Sequence, residues 1–339
     1  MKIVFLIAAA ADSRCGVGDY TAKLAEALRE RGQDVVIERV GTWSLSAILA
    51  LRKKYSGQKD VVFHLQYPSL GMGHSLTPAL LPLLLPSSAV YVTLHEFSIF
   101  SKPRQLIFLS HAVLSKSMIF SNDYEKVAFR NALPFQRAAL EIIPIGNNIE
   151  VVTPENGLAV PRRQRVIYFG QLGEDKGIDF FLSTVQALRG QNVDFEAAMI
   201  GAVMDHDTPL MKQVREYADL YNIELLFDRS SAEVSKELAQ SKVAILPFPD
   251  GISDKRGSAL ACLEHGVKVV TKHSIKTPEW LKRTTTGIET PDECTATVKA
   301  LLDSNFANEM APETSLLEVE IARRKWPSIA DEHLRLYRN

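Results

Sequence analysis

The run Asp254-Lys255-Arg256-Gly257-Ser258-Ala259-Leu260-Ala261-Cys262-Leu263-Glu264-His265-Gly266 lies between two apolar segments, Val243 to Leu246 and Val267 to Thr271, that read as strands. A cationic, glycine-containing turn leads there into a short helix, and a carboxylate follows about two turns on. A helix start offers free N–H groups and the positive end of a dipole, which suits phosphate. A carboxylate deeper in the helix can accept two ribose hydroxyl protons. The pairing points to a nucleoside diphosphate at the carboxyl edge of a parallel sheet.

Working outward, strand-like and helix-like segments alternate. In the first half Ile3 to Ala8, Asp34 to Val40, Val61 to Leu65, Val90 to Leu94, Ser117 to Ser121 and Ile142 to Ile145 read as strands. Val17, Tyr20, Leu24 and Leu28 recur at helical spacing, and Gly32 closes that helix. Asn147 to Arg165 has no periodicity and holds Pro154, Gly157 and Pro161, as a linker would. Alternation then restarts with strands Val166 to Gly170, Phe195 to Gly201, Ile223 to Phe227 and Val243 to Leu246. Between them lie helices Gly177 to Leu188, Pro209 to Tyr221 and Ala232 to Gln240. At the end, a helix over Leu316 to Lys325 meets Trp326-Pro327, where Pro327 breaks or kinks it and Ser328 is placed to cap a new one. Two βα arrays predict an α/β protein of two Rossmann-like doubly wound domains facing a central cleft. The expected divisions are 1–150, 151–325 and a closing segment 326–339 that packs on the first domain.

Composition narrows the function. The chain has 339 residues, 46% of them apolar, and a formal net charge of −1. Near-neutrality argues against a dedicated nucleic-acid binder. Cys15, Cys262 and Cys294 share no metal-ligand spacing and fit free thiols in a reducing cytosol. Met1 to Ala11 is apolar, but Lys2 and Asp12 fit a buried strand better than a secretory signal. Leu76 to Val90 is interrupted by Pro78, Pro82 and Pro86 and is too short and broken to span a bilayer.

Several turns carry candidate chemistry. Cys15-Gly16-Val17-Gly18-Asp19-Tyr20 follows the first strand. Two glycines allow close backbone approach to a ligand, but the third glycine of the dinucleotide fingerprint is Thr21, so a plain strand–helix turn is an equal reading. Asp19 is either a first-turn charge or a cleft residue. His95, in Thr93-Leu94-His95-Glu96, ends a strand where ligand crevices form. An isolated histidine there is more often satisfied by its own fold. His64 repeats the arrangement with a stronger expectation of a structural role, and Gly71-Met72-Gly73-His74 reads as an ordinary loop. Lys176, in Phe169-Gly170-Gln171 to Lys176-Gly177, sits at an expected helix start against the dipole, which a bound anion would explain. Gly201 ends a strand with a small residue, as approach to a base or ribose requires. Asp205-His206-Asp207 reads as a polar loop, because three adjacent side chains do not converge on one ion.

Together these segments resemble the GT-B glycosyltransferases, and among them glycosyltransferase family 4, over nearly the whole chain. Gly16 to Tyr20 is similar to that family's first-domain glycine loop, and His95 to its cleft histidine. Gly170 to Gly177 is similar to its phosphate-binding turn, and Arg256 to Glu264 to its glutamate-bearing helix. Arg324 to Tyr337 is similar to its closing helix. Two positions depart. Gln171 stands where the family usually has Arg, and Arg256 where it usually has Glu. A guanidinium binds phosphate bidentately, so Arg256 is expected to replace the missing cation. Asp250 or Asp254 is expected to take over the sugar contact.

The resemblance implies glycosyl transfer from a nucleotide-sugar with retention, without a metal or a cofactor. Lys176, Arg256 and the amides of the Gly257-Ser258-Ala259 turn would stabilise the leaving diphosphate. Glu264 would hold the ribose, and Gln171 and Gly201 would line the donor site. His95 and Asp19 would be the catalytic pair on the first domain, with Gly16 and Gly18 approaching the phosphate–sugar region. The implied acceptor is a glycan, polysaccharide or lipid-linked sugar, in a bacterial cytoplasmic setting with peripheral contact to the inner membrane. Phe97, Ile99, Phe100, Lys102, Arg104, Leu106, Ile107 and Phe108 mix apolar and basic residues as such contact would, although a helix packed on its sheet explains them better. Two other readings fit the architecture: a non-hydrolysing nucleotide-sugar epimerase, and an inactive nucleotide-sugar-binding partner subunit.

Overall fold

The computed structural model describes residues 1–8, 16–73, 75–85, 90–152, 161–203, 205–303 and 311–338. Cys15, His74 and Pro86 therefore lie outside the described residues. Two units result, Met1–Gly146 with Arg323–Asn339, and Asn147–Ala322. The chain changes unit a few residues earlier than expected in both directions. Asn147 Oδ1 accepts from the Ile149 amide at 2.9 Å, and its Nδ2 donates to Glu264 in the second unit at 2.8 Å. On the return, Arg324 and Trp326 are buried in the first unit, where a Cβ on Gly146 would stand 2.8 Å from the Trp326 ring.

The first unit holds β1 (Lys2–Ile7), β2 (Asp34–Arg39), β3 (Val61–Tyr67), β4 (Val90–Leu94), β5 (Ser117–Phe120) and β6 (Ala139–Ile142). They form one parallel sheet in the order β2-β1-β3-β4-β5-β6. Alternation in β1 sends Val4 and Leu6 to one core, with Ile48, Leu81, Phe97, Phe100 and Phe108. It sends Ile3 and Phe5 to the other, with Leu24, Leu28, Trp326 and Tyr337. The phenylalanines of the 97–108 segment are thus packed on the sheet, and Ile99 and Leu106 are left exposed.

The second unit holds β7 (Arg165–Phe169), β8 (Glu196–Gly201), β9 (Ile223–Phe227), β10 (Val243–Leu246), β11 (Lys268–Thr271) and β12 (Thr286–Gly287). All pair in parallel in the order β12-β11-β10-β7-β8-β9. The order reverses between β7 and β10, and such a switch point opens a crevice at the carboxyl ends of the two strands. At the opposite edge the buried Arg165 guanidinium pairs with Glu224 and Glu237, which braces the start of β7.

Three expected elements differ. The last strand of the first sheet is β6, three residues upstream of Ile142 to Ile145. Ser117 to Phe120 pair with Ala139 to Ile142, and Pro144 has no N–H to carry the ladder further. The helix expected over Leu316 to Lys325 is Ala311–Arg323. The final helix runs over Trp326–Arg338 and starts before Pro327, which stands in its first turn where no N–H is needed. The Ile329 amide bonds Lys325 O at 3.0 Å, so Ser328 lies inside the helix and does not cap it.

Candidate functional site

The crevice in the second unit is built from three strand ends. After β7 the chain runs through Gly170 and Gln171 into a single 3₁₀ turn, Glu174–Lys176, and then into the helix Ile178–Gly190. Lys176 therefore precedes the helix and does not start it. Gly177 sits between them in the left-handed region at φ 71°, and a Cβ there would come within 2.3 Å of Pro247 O, just after β10. That contact presses the lysine turn against the end of β10.

Gly201, at the end of β8, corrects its expected role. A Cβ there would lie 1.8 Å from Gly170 O, and the Gly170 amide donates to Ile200 O at 3.0 Å. The missing side chain makes room for the neighbouring strand end, not for a base or ribose.

Beyond β10 the chain reaches the helix Gly257–Glu264, with Arg256 as its N-cap residue. The Ala259 and Leu260 amides both donate to Arg256 O, at 3.0 and 3.1 Å. The amides of Gly257 and Ser258 have no hydrogen-bond partner among the described residues. Ala259 is buried, so only those two amides remain as donors to a ligand. The Ser258 Oγ lies 3.7 Å from the position of a Gly170 Cβ, which places the helix start beside the end of β7.

Tyr168 organises the floor, and no sequence signal marked it, because it is one alternating residue of a buried strand. Its hydroxyl donates to Gln171 O at 3.3 Å and lies 3.5 Å from Lys176 O. Burial pushes that hydroxyl up, against the pull of the Arg256 charge. The backbone carbonyls of Gln171 and Lys176 thus meet one phenol, which also feels the Arg256 charge. Lys176 is half-buried and has no ion-pair partner among the described residues. Arg256 has two contacts of its own. Its guanidinium pairs with Asp250 and lies 4.7 Å from the centre of the Phe248 ring. Asp250 also holds Lys276 at 3.5 Å, and Asp254 is buried. Asp250 therefore serves the two cations, and Asp254 faces inward. Phe248 and Lys276 were not legible in the sequence, since their value depends on where the loop folds.

Glu264 ends its helix, about 12 Å along the axis from Arg256 at the usual rise. A carboxylate at a helix C-terminus opposes the dipole. Here it is half-buried and accepts a hydrogen bond from Asn147 Nδ2 at 2.8 Å. Asn147 came from a stretch that reads as linker, and its asparagine–glycine composition hid a structural donor.

In the first unit the helix Gly16–Glu30 already includes Gly16 and Gly18, so the two glycines form its first turn and not a preceding loop. A Cβ on Gly16 would meet nothing within 4 Å. Asp19 is in the same turn, and partial burial raises its carboxyl above the usual range. His95 is buried: its Nε2 donates to Gln66 Oε1 at 2.8 Å, and its ring stands edge-on to Tyr20 at 5.1 Å. The Gln66 Nε2 beside it has no partner among the described residues. His64 is a core residue, bonded to Thr93 Oγ1 at 2.7 Å and to the Tyr337 hydroxyl. Asp205, His206 and Asp207 separate: Asp205 accepts from the Asp207 amide at 2.9 Å, and His206 faces Asp228 at 3.4 Å. Cys262 and Cys294 are free and buried, and burial raises both thiols.

Known proteins match this arrangement at two levels. Residues 163–304 match the family model of glycosyl transferases group 1. Over the whole chain, a glycosyltransferase from Rickettsia africae has the same fold, with TM-score 0.73 and 13% identity, over 99% of this chain and 97% of that one. The Anabaena HepE protein, solved with UDP and glucose, gives TM-score 0.68 and 13% identity over 99% and 98%. A trehalose-6-phosphate synthase, studied with bisubstrate glycomimetics of glycosyl transfer with retention, gives TM-score 0.67 and 11% identity over 100% and 99%. No curated protein matches by sequence. The chain has the two-sheet GT-B architecture of these glycosyltransferases, and residues 163–304 of its second unit match the model of glycosyl transferases group 1.

Proposed function

We propose that the protein transfers a glycosyl unit from a nucleoside diphosphate sugar to an acceptor, with retention and without a metal ion. The observation that carries this reading is that the turn of Lys176, the helix start with Arg256 and the unpartnered amides of Gly257 and Ser258 all meet the ends of β7 and β10 at the switch point. Those groups concentrate positive potential where a diphosphate leaving group gains charge. Glu264 accepts from the neutral Asn147 amide, and its carboxylate is the acceptor that two ribose hydroxyls need. The retaining stereochemistry is carried over from the synthase of the same fold. On the first domain, Asp19 and His95 are the groups assigned to the acceptor and the sugar. His95 acts in this reading through its Gln66-fixed ring. A glycan or lipid-linked acceptor is the class assigned.

The test is incubation with a panel of UDP-, GDP-, ADP- and dTDP-sugars, followed by NMR of the anomeric products. Transfer or slow hydrolysis with retained configuration is the expected result. An isomerised donor would make the protein an epimerase, and binding without turnover would make it a partner subunit. Calorimetry of Glu264→Ala supplies the second check. Losing hydrogen bonds to a charged group costs about 1.5–3 kcal/mol, so nucleotide affinity is expected to fall by about 10- to 100-fold. Unchanged affinity would remove Glu264 from the site.

A further inference from the structure

Two loops that follow β10 and β11 in the second unit are fastened to each other. The Ile252 amide donates to Lys272 O at 2.8 Å, and Thr277 Oγ1 donates to Ile252 O at 2.7 Å. Ile252 and Thr277 are both buried. The second loop is also tied to itself. Thr277 Oγ1 accepts from the Ser274 amide at 2.9 Å, and Ser274 Oγ accepts from the Lys276 amide at 3.2 Å. Gly251 brings the loops into contact: a Cβ there would stand 2.5 Å from Ser274 Oγ and 3.0 Å from Ser274 N. The backbones that carry Asp250 and Lys276 are therefore held in register.

Asp250 divides its two oxygens between cations. Oδ1 accepts from the Arg256 guanidinium, and Oδ2 lies 3.5 Å from Lys276 Nζ. Among the described residues Lys276 and Arg256 have no other ion-pair partner. The two contacts differ in kind. Arg256 makes a hydrogen-bonded pair and lies over the Phe248 ring, so its fork is committed to the loop. Lys276 stands at the limit of hydrogen-bond range, and its flexible stem leaves room to close the gap.

Arg256 cannot give the same N–H groups to Asp250 and to a phosphate. It is also the N-cap residue of the helix that presents the Gly257 and Ser258 amides, so it stands where a diphosphate would bind. An arginine that turns to the diphosphate leaves Asp250 as a bare carboxylate beside a second anion, and the two repel.

We infer that Lys276 is a positioning residue that takes over Asp250 when Arg256 turns to the diphosphate. It neutralises the released carboxylate and holds it away from both the phosphates and the guanidinium. Lys276 acts through Asp250 and makes no contact with the donor. The inference rests on the diphosphate site proposed above and adds to it a residue on a different loop.

A double-mutant cycle read by calorimetry tests it, on the full chain at low salt, with UDP, GDP, ADP, dTDP and inorganic pyrophosphate as probes. The side chains are 29% exposed for Arg256, 33% for Lys276 and 51% for Asp250. Ion pairs so open to water are worth about two- to fivefold in an equilibrium. Lys276→Ala is expected to weaken diphosphate binding by about that factor, and Lys276→Arg to restore it. In an Asp250→Asn background Lys276→Ala is expected to change nothing, because no carboxylate is left to take over. A lysine with a merely structural role would not lose its effect in this way. Equal weakening in both backgrounds would overturn the inference and make Lys276 a direct phosphate ligand. Wild-type affinity of Lys276→Ala would overturn it as well. A wild type that binds none of the probes would remove the diphosphate site itself, and the inference with it. Binding that follows the expected cycle without any glycosyl transfer would leave the inference standing and overturn only the transfer.

Discussion

Arg256 is the residue that the resemblance marks as a departure, and its surroundings restrain it physically. The guanidinium stacks at 4.7 Å on Phe248 and pairs with an Asp250 that it shares with Lys276. Both partners restrain a long side chain at a site where a planar, bidentate donor is useful. Two outcomes follow. Arg256→Ala is expected to weaken binding of a nucleoside diphosphate by about tenfold or more, and Arg256→Lys to recover only part of it, since ammonium neither stacks nor forks. Equal affinity of the lysine variant and the wild type in calorimetry would show that charge alone suffices. Asp250→Asn separates the two roles open to that carboxylate. As a restraint on Arg256 it competes with phosphate through a half-exposed ion pair, worth at most about 1 kcal/mol, so its removal should tighten diphosphate binding by up to about fivefold. If Asp250 instead held the sugar, the variant would lose turnover with no gain in diphosphate affinity.

At the scale of elements, the strand ends of the second sheet show what was legible and why. β9 and β10 and the helix Pro209–Tyr221 fall where apolar runs and turn residues place them, because β10 is a continuous apolar run buried on both faces, β9 starts directly after the left-handed Asn222, and Thr208 and Asn222 cap that helix. β6 slipped by three residues because it is a half-buried edge strand whose pattern carries little signal and whose register is set by β5. The site was legible as positions but not as reasons. Gly201 was read as room for a ligand, and its space is taken by Gly170 O. A chain-distant contact of that kind has no local sequence mark. Glu264 was legible as an odd carboxylate, whereas Asn147, 117 residues away, was not. The Gly201 contact is directly testable. Gly201→Ala drives a Cβ to 1.8 Å from a backbone oxygen that cannot swing aside. Overpacking of this sort costs about 1–3 kcal/mol, and rigid backbone places it at the upper end. Calorimetric melting should fall by several degrees, with weaker nucleotide binding as the β7 end shifts. A wild-type melting temperature would mean that the strand ends yield.

For the molecule as a whole, the last helix is the strongest departure from a simple two-part chain, since Trp326–Arg338 returns to complete the first unit's core. It is fastened by polar groups buried among aromatics. His64 on β3 meets Tyr337 and Thr93, and its ring lies 5.6 Å from that of His333. Tyr91 on β4 donates to Leu336 O at 3.0 Å, and Tyr20 faces both His95 and Trp326. Outside this core Arg31 holds Asp331, and partial burial raises the Glu332 carboxyl. His333 Nδ1 accepts no proton from solvent: it bonds Ile329 O at 2.8 Å, and its Nε2 has no partner among the described residues. Burial lowers His333 to about 4, His111 to about 4, and His64 well below its ordinary value. In each case the unfolded chain binds the proton more readily, with a pKa near 6.5. Stability therefore rises with pH through this window. It is fully present above about pH 6.5 and falls as pH drops toward about 4, by about 1.4 kcal/mol per pH unit for each histidine. Glu332 works in the opposite sense, and Arg31 with Asp331 matters only below the carboxylate range. Urea unfolding followed through Trp43 and Trp326 should thus show a lower midpoint at pH 5 than at pH 7.5. His333→Phe keeps the ring and removes one titrating group with its orphaned nitrogen, so its loss between the two pH values should be smaller than the wild type's. An identical loss in wild type and variant would mean that His333 titrates the same way folded and unfolded, and that the fastening of the last helix does not depend on a neutral histidine.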